Sequence, residues 1–475
     1  MAALDRTSAL KSLEQREVAL VRALMRAPGL LDARGEVGLR TAIALARLHH
    51  LPSEGGELDI EELVLPLRSE VLKLLEVAGL RERDASAPSA EKLRPVATIL
   101  REQAIRCRAA LRQRLEGRVP GDAMDREVRE RRLVLALGGG GGSGYIYLGA
   151  FKLLEECGLR PALIAGTSMG SVLGLFRAKS LRFDTGTVIG VVRSLAWGKL
   201  FQLLSMESRY GLPAAMRLYL RAAIGRFFSR EDGQALTLKD LGIPLIVPVS
   251  GIRAGVLPHS LEFYEHMMED LPGVATPFRL ARRLTRILGA IVELAQLSER
   301  LDRIYLGLEE GTETFDALDA VGFSCALPGV IHYDLVRKDD RMHAILQALF
   351  SRRDLFRLAD GGLVDNVPAT AAWQAVQKGT LGTRSAFVLA LDGFSPKLRT
   401  PAWLPLQGLA SAQVQQSCQF AHLYKAFKGT LSPLELVPSV ASTVKMIERG
   451  REELSPEVPF IRRMLQPLPA MAEED

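Results

Sequence analysis

The stretch Leu133-Val134-Leu135-Ala136-Leu137-Gly138-Gly139-Gly140-Gly141-Gly142-Ser143-Gly144 decides the fold. A short apolar run of buried-strand length passes directly into a run of glycines. A helical pattern from Tyr147 to Cys157 follows, closed by Gly158. A second apolar run, Ala162-Leu163-Ile164-Ala165, ends in Gly166-Thr167-Ser168-Met169-Gly170, and another helical pattern begins at once. Strand, loop, helix, strand, turn and helix in that order predict an α/β domain with a mainly parallel sheet.

Outward from this stretch the texture changes. Residues 1–125 form an N-terminal helical accessory region: Leu13, Leu20, Val21, Leu24 and Met25 recur at helical spacing, as do Ile60, Leu63, Leu67, Val71, Leu74 and Leu75. Breaks fall at Leu51-Pro52-Ser53-Glu54-Gly55-Gly56, at 84–89 and at Pro120-Gly121. Further strands are expected at 243–249, 355–359 and 386–391, with a mostly helical insertion at about 257–320. The α/β domain covers 130–395, and 396–475 is expected to be a helical extension.

The glycine loop admits three chemistries. A phosphate-binding P-loop needs Gly-Lys-[Ser/Thr], and Tyr145 follows Gly144 here, which excludes it. A dinucleotide fingerprint fits Gly139-x-Gly141-x-x-Gly144, but it wants an acidic residue at the end of the next strand, where this chain has Gly166-Thr167-Ser168. An oxyanion hole made of backbone N–H groups is the third, and it alone uses the loop and Ser168 together. Gly166-x-Ser168-x-Gly170 between a strand and a helix has the form of a nucleophile elbow, which lifts a serine oxygen out at a helix N-terminus. Taken alone, the same residues also describe a plain strand–helix turn. A serine needs a base, and Asp360-Gly361-Gly362, after the 355–359 strand, is the candidate. An Asp-Gly pair by itself is commonly a turn, and Asp392-Gly393 is a second one.

Composition restricts the remaining possibilities. The chain has 475 residues, a net charge of +6, 48% hydrophobic and 24% charged residues, which is ordinary globular composition. The mild basicity suits an anionic membrane surface or weak nucleic-acid binding, but no nucleic-acid recognition motif is present, so none is expected as a partner. Cys107, Cys157, Cys325 and Cys418 are far apart, which argues against a disulfide framework or a zinc site. No signal-peptide pattern and no apolar run long enough to cross a membrane is seen, so a cytoplasmic protein with peripheral membrane contact is expected.

Together the motifs resemble those of the patatin-like phospholipases. Leu135-Ala136-Leu137 with Gly138 to Gly142 and Gly144 looks like that family's glycine-rich loop, and Gly166-Thr167-Ser168-Met169-Gly170 is similar to its nucleophile elbow. Asp360-Gly361-Gly362 with Val364-Asp365-Asn366-Val367-Pro368 looks like its Asp-Gly motif, and Ser324-Cys325-Ala326-Leu327-Pro328-Gly329-Val330 resembles the small-residue stretch before it. The resemblance covers roughly 130–395. It implies a three-layer αβα sandwich and hydrolysis of lipid carboxylic esters by a Ser168–Asp360 dyad through an acyl-enzyme. The N–H groups of Gly139, Gly140, Gly141 and Gly142 would hold the oxyanion. Gly144, Gly166, Gly170, Gly361 and Gly362 support the motifs, and no metal or organic cofactor is implied. Two positions depart from the family pattern: Ser143 stands where a basic residue is frequent, and Tyr147 where a histidine is.

Three other expectations complete the reading. Leu280, Leu284, Ile287, Leu288 and Ile291 share one face of a basic segment at 279–294, which fits a helix lying on an anionic membrane or a surface helix packed on its own domain. A Ser-Asp-His triad would need His422, the only histidine after Asp360, but Cys418-Gln419-Phe420-Ala421-His422-Leu423 reads as helix. The alternative function is a catalytically inactive lipid- or protein-binding member of the same fold, which Ser143 keeps open.

Overall fold

The computed structural model describes residues 5–82, 88–203, 208–257, 296–335, 337–394 and 404–470, with 289 and 292–293. The basic segment at 279–294 lies outside the described residues apart from 289 and 292–293. The chain divides into two compact units. One comprises Met1–Leu133, Val376–Phe387 and Glu457–Asp475, the other Val134–Ala375 and Val388–Pro456.

The first unit is mainly helical, with long helices at Arg6–Arg26, Ala33–Arg47, Glu61–Val77 and Ala90–Leu115. Asp32 and Ser89 cap two of them by accepting N–H bonds from Gly35 and Lys92, as expected of these residue types at a helix start. The apolar positions read from the sequence face inward: Leu13, Leu20, Val71 and Leu75 are fully buried. The break at 51–56 is a hairpin, β1 (His50–Ser53) paired antiparallel with β2 (Gly56–Asp59).

An ionic cluster sits inside this helical core. Glu17 is wholly buried, with Arg40 Nε at 3.3 Å, Arg47 Nη1 at 3.9 Å and Arg131 in direct contact. Burial by itself would raise the Glu17 pKa, but the three guanidiniums outweigh it and hold the carboxyl at about 2.

The second unit is built on a seven-stranded sheet. Its strands are β3 (Arg132–Leu137) and β4 (Pro161–Gly166), then, after β5 (Phe201–Leu203) and β6 (Ala214–Leu218), β7 (Leu245–Ile252) and β8 (Asp302–Leu306). Beyond β9 (Gly329–His332) come β10 (Arg357–Asp360), β11 (Ala386–Asp392) and β12 (Leu423–Ala426). The order is β10-β7-β4-β3-β11-β12, with β8 also on β7. β4 and β7 are parallel, as are β11 and β12, whereas β8 and β10 run antiparallel to β7. Every residue of β7 and β11 is buried, the mark of strands covered on both faces. Helices Met169–Ala178 and Ala317–Ser324 pack on β4 and β7. β5, β6 and β9 form a separate small sheet.

The α/β architecture with a mostly parallel central sheet and N-terminal helices is therefore as expected. Two local expectations are corrected. Part of the 257–320 stretch is strand β8, and part of the 396–475 extension is strand β12. Both are short segments whose pairing partners are distant in sequence, so helical periodicity nearby masks them. His422 is likewise not helical: the helix Leu404–Cys418 ends before it, and it leads into β12.

Replacing Glu17 with Ala removes the one carboxylate that Arg40, Arg47 and Arg131 share, although Glu36 still lies 3.6 Å from Arg40, an expected loss of about 3–5 kcal/mol. Urea unfolding of the variant at pH 7 measures it. Because the folded carboxyl is depressed, its contribution is present above the ordinary glutamate range and fades as pH falls towards about 2. A cost in the variant that did not shrink over that window would contradict the assignment.

Candidate active site

The turn after β4 holds Ser168 at φ 50° and ψ −125°. Among the described residues only Asp354 shares a positive φ without being glycine. Such a conformation costs on the order of 1–3 kcal/mol and needs surrounding structure to hold it. The Ser168 N–H donates to Ser324 Oγ at 2.9 Å, and Ser324 Oγ donates onward to the Pro248 carbonyl at 2.7 Å. Ser171 Oγ donates to the Ser168 carbonyl at 2.6 Å. Thr167 is tied by its N–H to Leu137 O and by its hydroxyl to Asp365 O. The flanking glycines are required sterically. A Cβ on Gly166 would lie 2.6 Å from Gly170 O, and one on Gly170 would lie 2.3 Å from Leu137 O.

Asp360 ends β10, and the sheet brings it to the serine. Ser168 Oγ donates to Asp360 Oδ2 at 2.9 Å, while the Gly362 N–H donates to Oδ1 at 2.7 Å. The Asp360 main chain is held on both sides, its N–H by Ala326 O and its carbonyl by Ser250 Oγ. Gly361 passes Pro248 so closely that a Cβ would lie 2.2 Å from that carbonyl. Burial raises the Asp360 pKa to about 6, against the opposing pull of the bonds from Gly362 and Ser168. Cys325 adjoins the same groups, and burial, then the Asp360 charge, push its thiol well up, so it stays protonated.

The glycine loop lies beside this pair. A Cβ on Gly139 would be 3.2 Å from Ser168 Cβ, and one on Gly144 would be 2.8 Å from Met169 Cγ. The loop's N–H groups are not equivalent. Gly139 donates to Asn366 O and Gly142 to Pro433 O, both at 3.0 Å. The N–H groups of Gly140 and Gly141 carry no hydrogen bond among the described residues. Both residues have positive φ, 132° and 55°, which glycine alone adopts freely. Of the four donors named from the sequence, these two remain available to a ligand.

The two departures now have a structural account. Ser143 is buried, and its hydroxyl folds back to donate to Gly140 O at 2.7 Å, so it braces the loop where a cation would add charge. Tyr147 Oη donates to Gly138 O at 3.0 Å and accepts the Gly393 N–H at 2.8 Å, linking the ends of β3 and β11. His422 Nδ1 accepts the Val388 N–H at 3.1 Å, so its ring serves the sheet backbone. Ser250, Ser324 and Tyr147 escaped the sequence reading as contributors to the site. Ser324 lay in a stretch that stood out there and Tyr147 stood out as a departure without a role, whereas nothing marked Ser250.

Residues 135–373 match the model of the family described as Patatin-like phospholipase. No curated protein matches the chain. The matched span holds Ser168, Asp360 and the whole glycine loop.

Substituting Gly170 with Ala forces a methyl group against a backbone oxygen of β3 that has no freedom to move away. The expected loss is about 1–3 kcal/mol in denaturant unfolding, and an unchanged midpoint would show that the strand and helix can separate at no expense.

Proposed function

The chain belongs to the patatin-like phospholipase family, and from that premise we propose that it is a serine hydrolase of lipid esters, with Ser168 as nucleophile and Asp360 as base. The family implies lipid acyl hydrolysis. The observation supporting this assignment of roles is the 2.9 Å hydrogen bond from Ser168 Oγ to the buried Asp360 carboxylate.

In this reading Ser168 Oγ attacks the acyl carbonyl carbon and its proton passes to Asp360 Oδ2. The carbonyl electron pair moves onto oxygen, where the N–H groups of Gly140 and Gly141 meet it. Donors aimed at developing charge in a buried site stabilise the transition state more than they would in water. Collapse expels the alcohol part of the lipid, which takes the proton back from Asp360 and leaves an acyl-serine. Water then gives its proton to Asp360, attacks the acyl group and releases the fatty acid, and Ser168 recovers its proton. A base held near 6 is largely ionised at neutral pH, yet its conjugate acid is strong enough to protonate a leaving alkoxide. No histidine, metal or organic cofactor enters these steps. The substrate is met at the surface of a membrane or micelle, and no helix among the described residues is long and apolar enough to cross one.

Fatty-acid release from mixed phospholipid and neutral-lipid vesicles tests the proposal. The Ser168→Ala variant is expected to release none, and Asp360→Asn to lose about 10²–10⁴-fold in kcat. Equal release by native protein and Ser168→Ala would sink the assignment, and no release by either favours the inactive binding member.

The base must be ionised, so kcat/KM is expected to rise with pH through about 6 and level off above it. A profile flat between pH 5 and 7 would remove Asp360 from the role.

A further inference from the structure

The helix Ala317–Ser324 has the candidate site at one end, through Ser324, and an arginine cluster at the other. Asp316 and Asp319, both about 1% exposed, stand at its start. Arg221 Nη2 lies 2.9 Å from Asp316 Oδ2 and 3.2 Å from Asp319 Oδ2. Arg337 Nη2 lies 2.7 Å from Asp319 Oδ2 and also pairs with Asp316 and Asp339, and Arg341 pairs with Asp316. Tyr333 Oη donates to Asp319 Oδ1 at 2.6 Å and fixes that carboxylate. With Lys239 and the Arg230–Asp240 pair, Arg221, Asp316, Arg337, Asp339 and Arg341 line a groove of about 600 Å³.

The donors exceed what the carboxylates take up. Arg221, Arg337 and Arg341 together carry roughly fifteen N–H groups, and they converge on Asp316, Asp319 and Asp339. Arg221 Nε is shielded from solvent and has no hydrogen-bond partner among the described residues. The groove is lined by five cations, Arg221, Arg230, Lys239, Arg337 and Arg341, and three carboxylates, Asp240, Asp316 and Asp339, and with Asp319, which pairs with Arg221 and Arg337, one cation is still in excess. The buried aspartates hold the guanidiniums in place before any ligand arrives, which lowers the entropy lost on binding.

We propose that this groove is a binding site for a phosphate monoester or free phosphate, separate from the Ser168 site. Cations reach it from a short helix (Leu220–Ile224), a longer one (Asp340–Arg353) and the segments between. Donors arriving from several directions match a tetrahedral group with three free oxygens, and guanidiniums bind such oxygens pairwise. A planar carboxylate would use fewer of them. At about 1.5 Å per residue, Asp316 lies about 12 Å along the helix from Ser324, so the group bound here is not the ester that meets Ser168. The site stands on its own geometry and does not require Ser168 to be a nucleophile.

Binding by the full chain tests it, with no hydrolysis in the readout. The probes are inorganic phosphate, followed by calorimetry, and phosphatidylcholine vesicles carrying either phosphatidic acid or phosphatidylserine at matched surface charge. The informative variant is Lys239→Gln with Arg341→Gln: both side chains are exposed, and Arg221 and Arg337 still neutralise the buried aspartates. Arg182→Gln, also exposed, is the charge control. The expected result is phosphate binding that weakens about tenfold or more in the double variant and not in the control. Preference for phosphatidic acid over phosphatidylserine, with competition by phosphate, identifies a lipid headgroup. Phosphate binding without that preference identifies free phosphate. Absence of phosphate binding together with equal affinity for both vesicles overturns the proposal, as does an equal loss in Arg182→Gln.

Discussion

Where the central strands approach the serine turn and the acid, the carbonyl oxygens of Leu137 and Pro248 lie so close to the passing chain that no Cβ fits beside them. Leu137 O accepts the Thr167 N–H and sits 2.3 Å from the place a Gly170 Cβ would take. Pro248 O accepts the Ser324 hydroxyl and stands 2.2 Å from the place a Gly361 Cβ would take. One carbonyl thus sets the depth of the serine turn and the other the depth of the acid. Their separation is fixed by the sheet, so the 2.9 Å contact between Ser168 and Asp360 follows from backbone packing before side-chain chemistry enters. Ser324 connects the two, because its hydroxyl receives the strained Ser168 N–H and passes a bond to Pro248 O.

Two fully buried carboxylates in this chain show how neighbours decide what burial does. Glu17 is surrounded by Arg131, Arg47 and Arg40 and is held at about 2. Among the described residues Asp360 is met only by neutral donors, Gly362 N–H and Ser168 Oγ, and is raised to about 6. Desolvation acts in the same direction on both, and the difference lies in the partners. The first is locked in its charged form and serves structure. The second lies close to the pH at which a carboxylate can both take and return a proton.

At the candidate site, what could be read in the sequence was mainly what glycine alone can satisfy. The glycine loop, the Gly166–Gly170 turn and Asp360-Gly361 stand out because close approach and positive φ exclude other residues, and exclusion leaves a visible pattern. The buried strands β3, β4 and β11 were visible as apolar runs. Ser250, Ser324 and Tyr147 were not legible as site residues, because each acts on a backbone atom from a distant element and serine and tyrosine occur everywhere. The division of the loop donors was equally hidden. Gly139 and Gly142 are engaged by Asn366 O and Pro433 O, and the latter belongs to a segment far along the chain. β8 and β12 were read as helical surroundings because a short strand is specified by its partner more than by its own residues.

Ser143 bears on the chemistry through what it keeps away from Asp360. A guanidinium or ammonium on the loop would add positive potential for an oxyanion, but the same charge would favour the ionised form of Asp360 and make it a weaker base. With a hydroxyl turned back onto Gly140 O, the loop offers the two free N–H dipoles and no net charge. Fixed dipoles in a buried site stabilise charge without solvent reorganisation, and they fall off with distance faster than a full charge does. They can therefore support an oxyanion held against the loop while scarcely perturbing the acid. No cation is among the groups that shift Asp360. In the proposed mechanism the uncharged loop gives up electrostatic strength at the oxyanion, while burial keeps Asp360 near 6 with no cation among its described neighbours to draw it down.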